Sequence, residues 1–129
     1  MDVYNDIGIV RDVVQNHLTE LLALVAMDLP PDSGNISALL ASKARVLRQL
    51  RPATEHSTLT AQYSTYNFEW MKDDATKNVS TVPTFSATAL FVDNPRWSGV
   101  PFVLVSGKKL DEKSSYARIR FKDARFCAR

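Results

Sequence analysis

Apolar residues recur at helical spacing near the start of the chain. They are Val10, Val14, Leu21 and Leu24, with Val13 and Val25 beside them. This spacing predicts one long amphipathic helix over residues 7–27. Pro30 and Pro31 follow, and because proline cannot continue a helix and biases its predecessor away from helical angles, we expect a loop there.

A second helix and four strands are predicted after this loop. Ser37 is a suitable N-cap, and leucine and valine recur beyond it, so we expect a helix over residues 37–50. Period-two alternation or enrichment in β-branched and aromatic residues predicts strands over residues 58–66, 84–92, 100–105 and 116–122. Residues 67–82 have the pattern of a polar excursion. Because the strands are joined by turns rather than crossover helices, the order predicts an α+β fold with two helices packed on a mostly antiparallel sheet.

Length and composition are those of one globular domain. The chain has 129 residues, of which 45% are hydrophobic and 23% charged, and this excludes collagen-like, low-complexity and wholly disordered classes. No run of 18 apolar residues occurs, so we expect no membrane span and no membrane partner. The single cysteine, Cys127, cannot form an internal disulfide, and no cluster of cysteine and histidine has metal-ligand spacing, so no metal site is predicted.

Positive charge is concentrated at the C-terminal end. Eight of the 16 lysines and arginines lie from Lys108 onward against three acidic residues, which leaves a net charge of +5 on the last 22 residues. This distribution favours an anionic partner for that end, with a solvated strand face and tail as the alternative.

His17 is the candidate for chemistry that the pattern itself singles out. At 100° per residue it falls on the apolar stripe of the first helix, where burial would hold the imidazole neutral and able to act as a general base. The alternative is a core histidine without a catalytic role. Asp12 lies about 140° away on a regular helix, so we expect no direct hydrogen bond between the two. Asp12 is either a ligand contact or a solvated acid near the helix start.

Two long motifs in the chain resemble those of one enzyme family. Residues 8–22 read G-I-V-R-D-V-V-Q-N-H-L-T-E-L-L, and residues 93–104 and 106–113 read D-N-P-R-W-S-G-V-P-F-V-L and S-G-K-K-L-D-E-K. They resemble, in order and spacing, the G-I-I-R-D-x-x-Q-N-H-L-x-x-x-L and N-x-R-W-x-G-V-P-F-x-L-x-x-G-K-x-L-x-E-R motifs of glucose-6-phosphate dehydrogenases. Residues 106–108 and 116–122 are most similar to the endoplasmic-reticulum branch, the hexose-6-phosphate dehydrogenase half of a bifunctional protein.

The resemblance implies an NADP-dependent oxidoreductase of the oxidative pentose phosphate pathway, which oxidises C1 of glucose 6-phosphate to a lactone. It implies that His17 is the base that accepts the C1 hydroxyl proton, that Asp12 binds the sugar and that Lys108 contacts the substrate. Lys113 occupies a position where the family usually has a substrate-contacting arginine, and lysine keeps the charge but loses the bidentate fork.

A second, structural NADP site is not expected to be strong. Some family members hold this NADP through basic residues, and Arg118 matches one of them. Val105 and Ser114 occupy two positions that are basic in those proteins. The resemblance therefore implies at most a weak cofactor contact at Arg118.

Two parts of the family's catalytic apparatus are not found among these residues. The sequence has no glycine-rich nucleotide-binding motif and no D-H-Y-L-G-K-E segment. We expect residues 1–129 to be a partial C-terminal domain of such a dehydrogenase, without the nucleotide-binding domain that holds NADP. Because hydride acceptor and substrate must be oriented together, the chain alone is expected to be inactive. The resemblance implies that the full-length protein is a homodimer.

Two other interpretations remain open. One is a non-catalytic α+β module whose basic C-terminal strand binds phosphate-bearing partners, with no affinity for nucleic acid expected, and the other is a truncated product without function. The sequons Asn35-Ile36-Ser37 and Asn78-Val79-Ser80 agree with the endoplasmic reticulum lumen, with the cytoplasm as the alternative.

Overall fold

Helices and a three-stranded antiparallel sheet make up the part of the chain that the structure describes. The structure is a computed structural model that describes residues 2–72, 74 and 76–121. The helices are α1 (Asp2–Ile9), α2 (Thr19–Ala26), α3 (Ile36–Arg48) and α4 (Tyr66–Met71), with a π-helical segment at Val10–Leu18 and a 3-10 turn at Glu55–Ser57. The strands are β1 (Thr58–Ala61), β2 (Phe85–Leu90) and β3 (Phe102–Gly107). The predicted α+β fold is confirmed.

The sheet has β2 at its centre, and its two faces differ. Both β1 and β3 pair with β2 in antiparallel register, and Thr88 faces Leu104 across the β2–β3 pair. Because side chains alternate along a strand, Ser86 and Thr88 share one face, where both are buried. The opposite face carries Val103 and Val105, which are exposed.

The apolar core lies between helices α2 and α3 and one end of the sheet. Its buried residues are Leu22, Ala26, Met27, Val46 and Val92. The partly buried residues that pack against them are Leu39, Leu50, Leu90, Trp97, Phe102 and Leu104. Trp97 connects the two layers, because its Nε1 donates a hydrogen bond to the Ala26 carbonyl oxygen at 2.8 Å and its ring meets Phe102 edge-on. Burial of these side chains is the main favourable contribution to the packing of helices on the sheet.

The long first helix is present but differs in register from the prediction. Helical structure begins at Asp2, the backbone bends at Gly8, and residues 10–18 form hydrogen bonds to the fifth residue along instead of the fourth. This wider turn moves the buried face by one position, so that Val14 and Leu22 are buried whereas Leu21 and Leu24 are 52% and 41% exposed. The predicted apolar stripe is therefore wrong beyond Val14.

The predicted cap of the second helix is also wrong. Asn35, not Ser37, is the N-cap of α3, because its Oδ1 accepts a hydrogen bond from the backbone N–H of Ala38 at 3.1 Å. The helix itself, Ile36–Arg48, agrees with the prediction within two residues.

The predicted strands are confirmed in three places and wrong in one. The structure shortens the first of them to Thr58–Ala61 and places helix α4 at Tyr66–Met71, partly inside the predicted polar excursion. Residues 116–121 form no strand, because no neighbouring strand pairs with them in the described part of the chain, and all six side chains are exposed. Lys122 and Cys127 lie outside the described residues. No helix in the described ranges is both long and apolar enough to cross a membrane.

Candidate functional site

The π-helical segment brings Asp12 and His17 to the same side of the first helix. In a helix whose backbone bonds run to the fifth residue, each turn takes more than four residues, so positions five apart lie closer together around the axis than the about 140° of an α-helix. The expectation that these two residues occupy different faces assumed a regular α-helix, which residues 10–18 do not form. Thr19 is the C-cap of the segment, and both its backbone N–H and its Oγ1 donate to the Val14 carbonyl oxygen.

His17 is exposed, which contradicts the predicted burial among aliphatic side chains. The physical reason is again the wide turn, because it shifts the buried face from the line through His17 and Leu21 to the line through Val14 and Leu22. Exposure leaves the imidazole accessible to a ligand.

Lys108 follows the last residue of β3, and Gly107 lets the chain reach this position. A Cβ at Gly107 would lie 2.9 Å from both Phe85 Cδ2 and Leu110 Cδ2, so the close approach of these side chains requires glycine. The backbone N–H of Lys108 then donates to the Thr84 carbonyl oxygen at 2.9 Å. The backbone before the lysine side chain is thus fixed to the sheet.

The Lys108 ammonium lies on the face of Tyr4. Its Nζ is 3.2 Å from the ring centroid, well within the range of a cation–π interaction. Partial burial of the ammonium group lowers the pKa of Lys108, and the negative charge of Asp12 acts in the opposite direction, raising that pKa. Strand β3, which ends directly before Lys108, contacts the π-helical segment that carries Asp12. The structure therefore brings Asp12 and Lys108 into one electrostatic environment.

Tyr4 is fixed from both ends of its side chain. Its hydroxyl donates a hydrogen bond to the Pro83 carbonyl oxygen at 3.0 Å, and its ring meets Tyr66 edge-on at 6.3 Å between centroids. Tyr66 is 1% exposed and also meets Tyr63 edge-on. Burial, with the nearby tyrosines and the charge of Asp12, raises the pKa of Tyr4 to about 12. Tyr4 therefore remains a neutral hydrogen-bond donor at physiological pH.

Lys109 anchors the same turn on its other side. It has a positive φ of 53°, and its Nζ pairs with Glu69 and lies 4.8 Å from the Tyr63 ring centroid. Glu69 also accepts hydrogen bonds from the hydroxyls of Tyr63 and Thr65. The hydrogen bond from Lys109 is the main reason that the pKa of Glu69 is lowered.

Lys113 and Arg118 are not brought to this site by any contact in the described residues. Both lie in residues 110–121, which form neither helix nor strand, and both are exposed. The Arg118 guanidinium lies 5.5 Å from the ring centroid of Tyr116. Their roles as substrate and cofactor contacts remain predictions.

Tyr4 was not predicted from the sequence to lie against Lys108. It lies 104 positions before Lys108, and a single tyrosine in a helix carries no signal of its partner. The exposed Asp12 and His17 together with the supported Lys108 provide an acceptor, an imidazole and a cation. This combination suits a small ligand that carries hydroxyl groups and negative charge.

Fold and site together define an α+β domain with a candidate binding site for a polar, anionic ligand. Comparison with known proteins makes the assignment specific. The family model for the C-terminal domain of glucose-6-phosphate dehydrogenase matches residues 1–128. The chain belongs to this family.

Its relatives include full-length enzymes that are much longer. The GDH/6PGL endoplasmic bifunctional protein of Oryctolagus cuniculus is 44% identical over 128 residues, which cover 97% of this chain and 16% of the relative. The cytoplasmic glucose-6-phosphate 1-dehydrogenase 6 of Arabidopsis thaliana is 39% identical over 93% of this chain and 22% of its own length. The chain therefore spans about a sixth to a quarter of the relatives that it matches.

Two solved structures share the fold. Glucose-6-phosphate 1-dehydrogenase from Mycobacterium avium has a TM-score of 0.71 and 38% identity, and the match covers 81% of this chain and 22% of that one. A glucose-6-phosphate dehydrogenase in complex with its substrate glucose-6-phosphate has a TM-score of 0.73 and 34% identity, covering 85% and 23%. These matches agree with the predicted resemblance to the family.

Proposed function

We propose that this chain supplies the sugar-binding and proton-accepting groups of an NADP-dependent dehydrogenase that acts on glucose 6-phosphate or a related hexose 6-phosphate. The observation that carries the proposal is the grouping of Asp12 and His17 on one side of the π-helical segment, with Lys108 in the electrostatic field of Asp12. A solved family member in complex with glucose-6-phosphate supports the choice of substrate.

Each of the three residues has a distinct task in this proposal. The Asp12 carboxylate accepts hydrogen bonds from sugar hydroxyls, and the Lys108 ammonium provides positive charge for a polar or anionic group of the substrate. His17 accepts the proton of the C1 hydroxyl as the C1 hydrogen leaves with its electron pair, so that the hemiacetal carbon becomes the lactone carbonyl. NADP, when bound, supplies the hydride acceptor.

The nucleotide-binding part is proposed to lie outside residues 1–129. Arg118, the candidate contact to a structural NADP, lies on an exposed segment beside Tyr116 and away from helix or strand. The described residues offer no arrangement that favours a cofactor site there. We propose that the full-length protein provides the cofactor site, that it is a homodimer and that the chain alone has no dehydrogenase activity.

The test of this function is the substitution His17→Asn in the full-length enzyme. Loss of a general base should lower kcat by about 10²- to 10⁴-fold, and KM for glucose 6-phosphate should change by less than about 3-fold. His56→Asn is the matched control, because His56 is exposed in the 3-10 turn Glu55–Ser57, and it should leave both constants unchanged. A loss of kcat below about 10-fold for His17→Asn would remove His17 from the role of base.

We propose the endoplasmic reticulum lumen as the location, because the relative at 44% identity is an endoplasmic protein. Cytoplasmic and chloroplastic relatives leave the cytoplasm as the alternative. Asn35 and Asn78 of the two sequons are exposed, whereas Ser80 is buried. Ser37→Ala removes the first sequon without touching the Asn35 cap, so it should abolish one endoglycosidase-sensitive mobility shift. A wild-type protein without any such shift would contradict the lumenal location.

A further inference from the structure

Lys108 has a long side chain at the end of an edge strand. If this side chain rotated freely, ordering it would reduce the affinity for a substrate. Ordering a lysine side chain on binding costs conformational entropy. A substrate that must first order the lysine loses affinity by this cost. A lysine that is already held in place loses less, and this is the advantage of preorganisation.

The ring of Tyr4 provides such a support. The Lys108 Nζ is 3.2 Å from its centroid, and the lysine backbone is fixed by the hydrogen bond to Thr84. The ring cannot swing away without breaking the hydrogen bond to Pro83 and leaving the edge of the buried Tyr66. A rigid aromatic face therefore lies under the Lys108 ammonium, which is within the electrostatic influence of Asp12.

We propose that Tyr4 is a positioning residue for Lys108, whose ring face holds the ammonium on the Asp12 side so that the substrate meets an ordered cation. The proposal rests on the proposed function, in which Lys108 contacts the sugar phosphate. Tyr4 itself needs no contact with the substrate.

A purely structural role for Tyr4 makes different predictions. If Tyr4 only fills space between α1 and the loop at Pro83, the Tyr4→Leu and Tyr4→Phe variants differ in stability, but neither substitution changes substrate binding by way of Lys108. If the ring face matters, Tyr4→Phe keeps the effect because phenylalanine retains the π-system, and Tyr4→Leu loses it. The two roles are therefore separable by substitution.

The experiment is a double-mutant cycle between Tyr4 and Lys108, measured by steady-state kinetics of the full-length enzyme with glucose 6-phosphate. Tyr4→Leu should raise KM by about 5-fold with kcat within about 2-fold, and Tyr4→Phe should recover most of the loss. In the Lys108→Met background, Tyr4→Leu should add less than about 2-fold, because its partner is already gone. Equal effects of Tyr4→Leu in both backgrounds would overturn the proposal.

A spectroscopic measurement separates this proposal from the proposed function. The lysines of the full-length enzyme are reductively methylated with ¹³C, and the Lys108 signal is assigned through Lys108→Met. A methyl group over a ring face should resonate upfield in the wild type and Tyr4→Phe, and return to the common lysine position in Tyr4→Leu. If Lys108→Met leaves KM unchanged, the proposed substrate contact fails, and an unshifted wild-type signal independently overturns the Tyr4 contact.

Tyr63→Leu is the matched control for both measurements. It removes a ring from the same tyrosine cluster, but that ring lies under Lys109 rather than Lys108. Tyr63→Leu should lower the midpoint temperature of thermal unfolding, but the Lys108 methyl signal should stay upfield. A Tyr63→Leu variant that moves the Lys108 signal as far as Tyr4→Leu does would show that the cluster, and not Tyr4, determines the lysine position.

Discussion

Gly107 determines where the turn at Lys108 and Lys109 lies relative to the sheet. Gly107→Ala should lower the free energy of unfolding by about 1–3 kcal/mol, because the added Cβ would lie 2.9 Å from Phe85 and Leu110 side-chain carbons and would force both to move. Urea denaturation measures the difference. Gly34→Ala is the control, since its Cβ would meet only the flexible Asp32 carboxylate, at 3.2 Å, and it should stay within about 0.5 kcal/mol. Equal losses for the two variants would contradict the steric argument.

Glu69 gives the turn a pH dependence. Its pKa is lowered from 4.5, chiefly by the hydrogen bond from Lys109, so the folded state favours the ionised carboxylate. Because the pKa of Glu69 is lower in the folded state, the ionised carboxylate stabilises the folded protein at pH values above the unfolded-state pKa of 4.5. This stabilisation declines as the pH falls below 4.5 and through the lowered folded-state pKa. Denaturation of Glu69→Gln and wild type from pH 7 downward should therefore show a difference that disappears at acidic pH. A difference that stays the same at every pH would contradict this contribution of Glu69.

At the scale of elements, the start of α3 tests which residue is the cap. Asn35→Ala should lower the free energy of unfolding by about 1 kcal/mol, because the Ala38 N–H loses its side-chain acceptor. Ser37→Ala lies within the first turn and should change it by less than about 0.5 kcal/mol. The reverse order in urea denaturation would restore the cap that the sequence pattern favoured.

Element types were predictable from the sequence, and their exact registers were not. Apolar spacing predicts both long helices and three of the strands because packing against a core requires that spacing. The π-helical segment was not predictable, since Val10 and Val14 fit an α-helix as well as a wider turn. Helix α4 was missed because six residues provide less than two turns of pattern. The expected strand over residues 116–122 failed because alternation alone supplies no pairing partner.

At the scale of the whole molecule, Trp97 joins the helical layer to the sheet. Trp97→Phe should lower the free energy of unfolding by about 1–3 kcal/mol, because the Ala26 carbonyl oxygen loses its donor at the inner side of α2. Trp70→Phe is the control, since its Nε1 bonds the Asn78 carbonyl oxygen at an exposed position. It should cost less than about 1 kcal/mol in the same denaturation experiment. A larger loss for Trp70→Phe would place the main connection elsewhere.

The candidate site was only partly predictable at this scale. The family motifs predict roles for Asp12, His17 and Lys108, but motif positions do not show burial or neighbours. The exposure of His17 follows from the π-helical turn, and the support of Lys108 by Tyr4 follows from tertiary packing between distant segments. Both arise from interactions across the chain that no local pattern records.

The Tyr4 hydrogen bond spans 79 residues, and the bond from the Ser80 hydroxyl to Asn5 spans 75. During synthesis, the first helix therefore forms these two hydrogen bonds only after residues 80–83 have been translated. Lys108 is translated later still. Long-range closure of this kind slows folding. A nascent chain stalled before residue 80 would hold Tyr4 and Asn5 without these two hydrogen bonds until translation resumed.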